Sequence, residues 1–520
     1  MKKRFEAIAI VFIISVLGCS STETEEIPTA TLEPIPTLTP PPQLNLENLF
    51  IRVQEGDVVN NGGMSRGVAW GDYDGDGYVD IFVANSSDQI NFLYQNNGDG
   101  TFTRITEGEM VETASNSEGA AWIDYDNDGD VDLFVANREE EPNFLFNNDG
   151  NGTFTRILEG EIVSEAFSST GSCWIDLDND GHLDVFVTNR DGQDNSLFRN
   201  DGAGNFIKIS EGIIVSDAGD SRACGWADVD LDGDWDLFVG NAHERNAMYL
   251  NDGNGDFSKV SESDLLTRSD YTYGLSWADF DNDGDLDLFV ANVTDGGSRY
   301  NELFENEGGG EFSKIDLEPI TNDIGPSKGN AWGDLENDGD IDLFVANGTP
   351  GADVRNFIYL NDGTGLFSRV EVGIISSDSE ISAGAALADY DGNGSLDIFV
   401  ANWQNEDWDN ALYQNQNTLG EWIKITAVGL QSNRSAIGTR VRVLARIGGQ
   451  DIWQERIIQS NTGYGSQNSM IVHFGLGDAK SVLEVEIHWP SGLVDHYTNL
   501  EAVRHYIVWE GQEITISGEE

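Results

Sequence analysis

The sequence predicts an all-β protein: a seven-bladed β-propeller followed by a small β-sandwich-like domain. Three observations carry this. An Asp-rich phrase recurs seven times, starting at Asp72, Asp124, Asp176, Asp228, Asp279, Asp334 and Asp389. A repeat period of about fifty residues marks an array in which each unit is one supersecondary block. Each phrase then runs into an apolar stretch such as "DLFVAN", hydrophobic on consecutive rather than alternate residues, as a strand covered on both faces must be. Small sheets covered on both faces and repeated around a ring are propeller blades. Finally, glycine is abundant, at 59 residues, and long amphipathic helical patterns are absent, which favours strands and turns.

The N-terminus stands apart from the fold. "MKKR" is a positive segment and "AIAIVFIISVL" an apolar one too short to span a bilayer comfortably, the arrangement of a secretory signal. It ends in "VLGC", which resembles the bacterial lipobox. That resemblance implies removal of the signal peptide, a diacylglyceryl group on Cys19, and lipid anchoring at the bacterial cell envelope, outside the cytoplasm. Residues 20–44 are rich in Thr, Pro and Glu ("TATLEPIPTLTPPPQ") and read as a semi-extended tether. No other segment is apolar enough to cross a membrane, so membrane contact is expected through the anchor alone.

Within 45–419 each unit reads as four strands. In the second, "GAAWID" is strand A, the Asp-rich loop follows, "DLFVAN" is strand B, "NFLFNN" strand C, "DGNG" a turn and "FTRI" strand D. Strand B ends in Asn and strand C opens on Asn (Asn85 with Asn91, Asn137 with Asn143), residues that close turns on their own backbone. Trp70, Trp122, Trp174, Trp226, Trp277 and Trp332 stand two residues before the first Asp and are assigned to packing between blades. The strand D signature appears six times between the first and last loops. A seventh copy, "FIRV" at Phe50–Val53, precedes the first unit and is expected to complete blade seven; the rival for that slot is "WIKI" at Trp422–Ile425. Cys173 and Cys224 lie three and four residues before their first Asp. Successive strand residues face opposite sides, so two buried thiols are expected rather than a disulfide.

With 92 acidic and 28 basic side chains the formal charge is −64, which excludes nucleic acid as a partner, since phosphate binding needs a basic surface. The acid is periodic and interleaved with Trp, Phe and Leu, unlike a disordered tail. Counted from the first Asp, positions 1, 3, 5 and 9 of each loop bring side-chain oxygens, position 6 is Gly, and position 7 varies so widely that its backbone carbonyl is the expected donor. The candidate ligands are Asp72, Asp74, Asp76, Tyr78 and Asp80; Asp124, Asp126, Asp128, Asp130 and Asp132; Asp176, Asp178, Asp180, His182 and Asp184; Asp228, Asp230, Asp232, Asp234 and Asp236; Asp279, Asp281, Asp283, Asp285 and Asp287; Asp334, Glu336, Asp338, Asp340 and Asp342; and Asp389, Asp391, Asn393, Ser395 and Asp397. An all-oxygen set suits Ca²⁺, up to seven ions. An EF-hand is excluded: its twelfth position is Glu, and here it is Val83, Val135 or Val187. Without a cation, two carboxylates 4 Å apart repel by roughly 1 kcal/mol in water and about 4 kcal/mol at an effective dielectric of 20. The seventh loop, with Asn393 at position 5, is expected to be weakest.

These loops resemble the FG-GAP (VCBS) repeats of integrin α-chain propellers, over roughly residues 45–419. "SNRSAIGTRVRV", "GYGSQNSMIVHFGLG" and "IHWPSG" are similar to the ASPIC/UnbV domain, over about 420–517. The resemblance implies calcium in the strand A–B loops and ligands on the opposite face, and carries no catalytic residues. The B–C loops on that opposite face lengthen in units five to seven and include Tyr300, Trp403 and Trp408, the candidate ligand face. The leading reading is a calcium-dependent adhesion or ligand-binding lipoprotein for an extracellular protein or glycan. The others are an enzyme on extracellular polymers, such as a calcium-assisted polysaccharide lyase, and an assembly scaffold. The six His are scattered and form no catalytic set with Ser or Asp.

Overall fold

A computed structural model describes residues 44–518 apart from 267–270, 294–298, 351–353 and 404–407. The signal segment, Cys19, most of the tether and parts of the three long B–C loops lie outside the described residues. Among those described, no helix is long and apolar enough to cross a membrane.

Among the described residues, seven four-stranded antiparallel sheets follow one another along the chain before the C-terminal segment. In blade one the strands run from Ser65–Gly71 innermost, through Asp80–Asn85 and Phe92–Asn96, to Phe102–Ile105 outermost. Each innermost strand lies beside that of the next sheet, and Ser382–Ala388 of blade seven lies beside Ser65–Gly71 of blade one, closing a ring. Both inner strands of every blade are buried along most or all of their length, as their unbroken apolar runs require. The tryptophans pack between blades. Trp70 stacks on Tyr390, Trp122 on Tyr73 and Trp332 on Phe280, each on the preceding blade, and Trp226 donates its indole N–H to the Cys173 carbonyl at 3.1 Å.

Blade seven takes its outer strand from the start of the chain. Phe50–Arg52 pairs antiparallel with Ala411–Asn415, with Phe50 opposite Asn415 and Arg52 opposite Tyr413. Leu49 and Phe50 are buried, and Arg52 bridges to Asp378 at 3.0 Å and Glu380 at 2.9 Å. The rival "WIKI" lies instead within Glu421–Val428, which pairs with Val472–Gly477 and, in parallel, with Arg504–Trp509 in the C-terminal sandwich.

The expectation of free thiols is overturned: Cys173 and Cys224 form a disulfide with Cα atoms 6.1 Å apart. The two positions do differ in parity, and the bond requires that they do. Cys173 and Cys224 sit on the inner strands of adjacent blades, which stack face to face. A side chain leaving blade three toward blade four must therefore have the opposite parity to one on blade four looking back.

The C-terminal segment forms two four-stranded sheets. One is ordered Val472–Gly477, Glu421–Val428, Arg504–Trp509, Thr515–Ile516; the other Gln450–Ile457, Arg440–Ile447, Ser481–His488, Val494–Glu501. Ile423, Val443, Phe474, Val485, Ile487 and Val508 fill the space between them. This sandwich sits on the Asp-loop face of the ring. The Arg434 and Gly477 amides donate to Asn127 Oδ1 at 2.8 Å and the Asn337 carbonyl at 2.9 Å, and the Ser435 hydroxyl accepts from the Asp124 amide at 2.9 Å.

One excursion of the sandwich, residues 460–469, enters the central channel and bonds to the inner strand of every blade. Ser466 Oγ accepts from Val68 N and the Gly465 carbonyl from Ala120 N. Ser460 Oγ accepts from Trp174 N and Asn461 Nδ2 donates to the Cys224 carbonyl. The Gly463 carbonyl accepts from Leu275 N, Thr462 Oγ1 donates to the Asn330 carbonyl, and Asn468 Oδ1 accepts from Leu387 N. The channel admits this backbone because Gly67, Gly119, Gly274 and Gly384 face it. A Cβ on Gly67 would collide with the Gly465 carbonyl oxygen.

Candidate metal centres on the loop face

Each loop is wound by its own backbone. In blade one the Asp72 carboxylate accepts from the Asp76 amide at 3.1 Å and the Gly77 amide at 2.9 Å, and Asp76 Oδ1 accepts from Tyr78 N at 2.9 Å. The bond from position 6 to position 1 recurs in all seven blades. The position 6 glycines, Gly77, Gly129, Gly181, Gly233, Gly284, Gly339 and Gly394, hold φ between +88° and +107°, where a Cβ would be strained. Asp80, at position 9, accepts from Tyr73 N at 3.1 Å and from Asn96 N at 2.7 Å, which draws strands B and C to the loop.

The winding gathers carboxylates. Single ligand atoms of Asp72, Asp74 and Asp80 lie within 4.8 Å of one another, as do those of Asp124, Asp126 and Asp132, of Asp176, Asp178 and Asp180, and of Asp228, Asp230 and Asp232. Oδ1 of Asp228, of Asp230 and of Asp389 are buried with no hydrogen-bond donor. Burial first, and neighbouring carboxylates after it, push Asp80 and Asp132 up to about 8, Asp287 to about 9 and Asp72 to about 6. Asp342 and Asp397 rise well above the usual carboxylate range for the same reasons. A compact, all-oxygen, undercompensated donor set fits a hard divalent cation, and calcium suits it.

Position 7 side chains turn away from the cluster. The Tyr78 ring, Asp130, His182, Asp234, Asp285 and Asp340 lie over Gly98, Gly150, Gly202, Gly253, Gly308 and Gly363 of the C–D turns. In blade seven Ser395 Oγ donates to the Asn417 carbonyl at 3.2 Å. Only a backbone carbonyl remains to face the loop, which explains why Tyr, His, Asp and Ser are interchangeable there.

The loops are not equal. In blade three Arg199 is ion-paired with Asp178 and lies 3.6 Å from Asp184. In blade seven Lys424, from the sandwich, bonds to Asp389 Oδ2 at 2.5 Å. A fixed cation at these sites occupies charge that an ion would otherwise neutralise, and in blade seven it adds to the loss of charge at Asn393.

Sequence reasoning overlooked the residue that couples neighbouring loops. In six blades the Asn ending strand C donates to the position 2 carbonyl of the preceding blade's loop: Asn96 to Tyr390 at 2.8 Å, Asn148 to Tyr73 at 2.8 Å, Asn200 to Tyr125 at 2.7 Å, and likewise Asn306, Asn361 and Asn415. Its recurrence once per repeat was the available signal. His473 is likewise structural: Nε2 lies 3.0 Å from the Gly394 carbonyl, and burial lowers its pKa to about 3.

On the opposite face Tyr300 is exposed and Trp408 half-buried. Trp403 is less free than expected of a ligand platform, because Arg66 Cζ and Lys328 Nζ lie 4.2 and 4.0 Å from the centroid of its ring.

A family model for the FG-GAP-like repeat matches residues 72–135, 124–187, 176–239, 228–290, 281–345 and 334–400. The chain belongs to the FG-GAP-like repeat family. A second model, ASPIC and UnbV, matches 429–515, the body of the sandwich. Curated relatives of this FG-GAP-repeat chain include cartilage acidic protein 1 of Mus musculus, 22% identical over 82% of the chain and 71% of the relative, and that of Homo sapiens, 22% identical over 82% and 69%. Cartilage acidic protein 1 of Xenopus tropicalis is 24% identical over 83% and 62%. Among solved structures, YCF48 bound to D1 peptide aligns with a TM-score of 0.45 at 10% identity, covering 71% of this chain and 96% of that one.

Proposed function

We propose that this FG-GAP-repeat protein is a lipid-anchored, extracytoplasmic calcium-binding module that holds an extracellular protein or glycan ligand on the face opposite its Asp loops. The observation that carries the reading is the set of clustered loop carboxylates, several with buried, unsatisfied oxygens. Charges so arranged are stabilising only around a cation. Positions 1, 3, 5 and 9, with the position 7 carbonyl, would hold each ion, and the ions would fasten strand A to strand B and, through the strand C asparagines, blade to blade. The sandwich covers the loop face, so a ligand meets the molecule at the other. A disulfide between blades suits an oxidising compartment.

Ions that bind only the folded state stabilise it by mass action. Exhaustive chelation should lower the Tm sharply and calcium restore it, with Asp128→Asn or Asp283→Asn each weakening one site. An unchanged melting curve in excess chelator refutes the calcium reading. Protein and glycan arrays, run with and without chelator, test ligand binding; release of unsaturated products from polysaccharides would instead show a lyase.

A further inference from the structure

At the mouth of the channel away from the Asp loops, the innermost strands bring Arg66, Glu118, Arg222, Tyr273 and Lys328 together: Arg66 lies 3.9 Å from Glu118, and Arg222 and Lys328 both lie over the Tyr273 ring. Arg138 and Arg190, just past their strand B asparagines, join them beside Glu118. Five of the 28 basic side chains of a chain with net charge −64 therefore meet at one place. Burial of charge requires compensation, and the acids at hand cover only part of it. Glu118 lies 3.1 Å from Arg138 and 3.9 Å from Arg66, and also accepts from the Tyr464 hydroxyl. Asp220 lies 2.8 Å from Arg222, and Asp191 lies 3.4 Å from Arg190.

Lys328 is left over. It is 4% exposed, and among the described residues its ammonium has no hydrogen-bond or ion-pair partner. Among the described residues it meets only aromatic rings, with Trp403 at 4.0 Å and Tyr273 at 5.4 Å, and Arg222 Cζ lies 5.1 Å from the same Tyr273 centroid. Around it, Arg222 Nε, Arg138 Nε and Trp403 Nε1 are buried N–H donors without acceptors. Cation–π contacts of this kind are too weak to replace the hydration of a buried ammonium. Among the described residues, no acceptor carrying negative charge meets this ammonium.

We propose that this channel mouth is a binding site for a small anion, a carboxylate or an inorganic anion of similar size, held by Lys328 with Arg222 and Arg66 behind it and Trp403 and Tyr273 as its walls. The site is distinct from the metal loops, which lie at the other end of the same strands, and shares Trp403 with the candidate ligand face. Charged hydrogen bonds to cationic donors are the strong class, so an anion here would satisfy several orphan donors at once.

The test uses the full, calcium-loaded protein. Sodium acetate, sodium sulfate and sodium chloride are titrated separately at constant ionic strength while the Tm and the heat of binding are followed. At least one should give a saturable rise in Tm, and the rank order tells a carboxylate, such as a larger ligand would present, from a free inorganic anion. Lys328→Met, which keeps the aromatic contacts but removes the charge, should weaken that binding at least tenfold. Trp403→Phe, which keeps an aromatic face but removes the orphan N–H, should weaken it severalfold and serves if Lys328→Met does not fold. The proposal fails if no anion gives saturable stabilisation of the unmodified protein, the behaviour of a buried neutral lysine, or if the variants bind as the parent does.

Discussion

Gln467 is the residue on which the channel excursion can be tested most directly. It is fully buried at the axis. Its Oε1 accepts from the Trp122 amide at 2.7 Å and its Nε2 donates to the Trp122 carbonyl at 2.9 Å, while its own amide donates to the Val68 carbonyl at 2.9 Å and its carbonyl accepts from Trp70 N at 3.2 Å. Gln467→Ala keeps the two main-chain bonds and removes the two from the side chain, leaving one donor and one acceptor of blade two buried and unpaired. Each orphan costs about 1–3 kcal/mol, so the loss should be roughly 2–6 kcal/mol, toward the lower end if a water enters the vacated space. Against a typical stability of about 5–15 kcal/mol, this is a large fraction. Urea unfolding of the calcium-loaded chain measures it. Gln467→Met fills the same volume without hydrogen bonds and should also be destabilised, which separates bonding from packing. If both variants unfold within about 0.5 kcal/mol of the parent, the range of an inert surface change, the excursion does not hold the ring together.

The outer strand of blade seven, Phe50–Arg52, is tested by Phe50→Ala, which should cost about 3–5 kcal/mol as a buried aromatic truncation and expose blade seven to protease before the other blades; an unchanged digest would mean that the ring does not rely on it. The loop acids set an unusual pH dependence. Carboxylates raised from the usual 3.9 or so to about 8 at Asp80 and Asp132 and about 9 at Asp287 bind protons more tightly folded than unfolded. Metal-free protein should therefore lose stability as pH rises from about 4 to 9. Saturating calcium, which takes the deprotonated form, should remove or reverse that slope, and melts across this window with and without the ion would show parallel curves if the loops were indifferent to metal.

What the sequence revealed was whatever repeats. Seven glycines, seven strand B runs and six tryptophans at constant offsets left little choice about blades or loops, and the orphaned strand D copy at Phe50 pointed to its slot because blade seven lacked one. Features that occur once were harder to read. The Cys173–Cys224 disulfide was missed because parity was judged within a strand rather than across facing blades. Lys424 gave no sign of reaching Asp389, since the sandwich's seat on the loop face is not encoded locally. The stretch from Ser460 to Ser469 reads as a polar loop, and only the ring around it shows that its amides and hydroxyls are bonded to seven separate strands.

The pairing of Phe50–Arg52 with Ala411–Asn415 has a consequence for how the molecule is made. A ribosome delivers Phe50–Arg52 before the first blade and its partner only after all the other blades, so this strand must wait, unpaired, through the synthesis of nearly the whole propeller. The channel excursion emerges later still, and finds its seven partners only once they have been assembled around a common axis. Until then the growing chain presents a bare sheet edge at one end and a spare strand at the other, which makes exchange of that strand between two nascent copies the characteristic error against which folding has to compete.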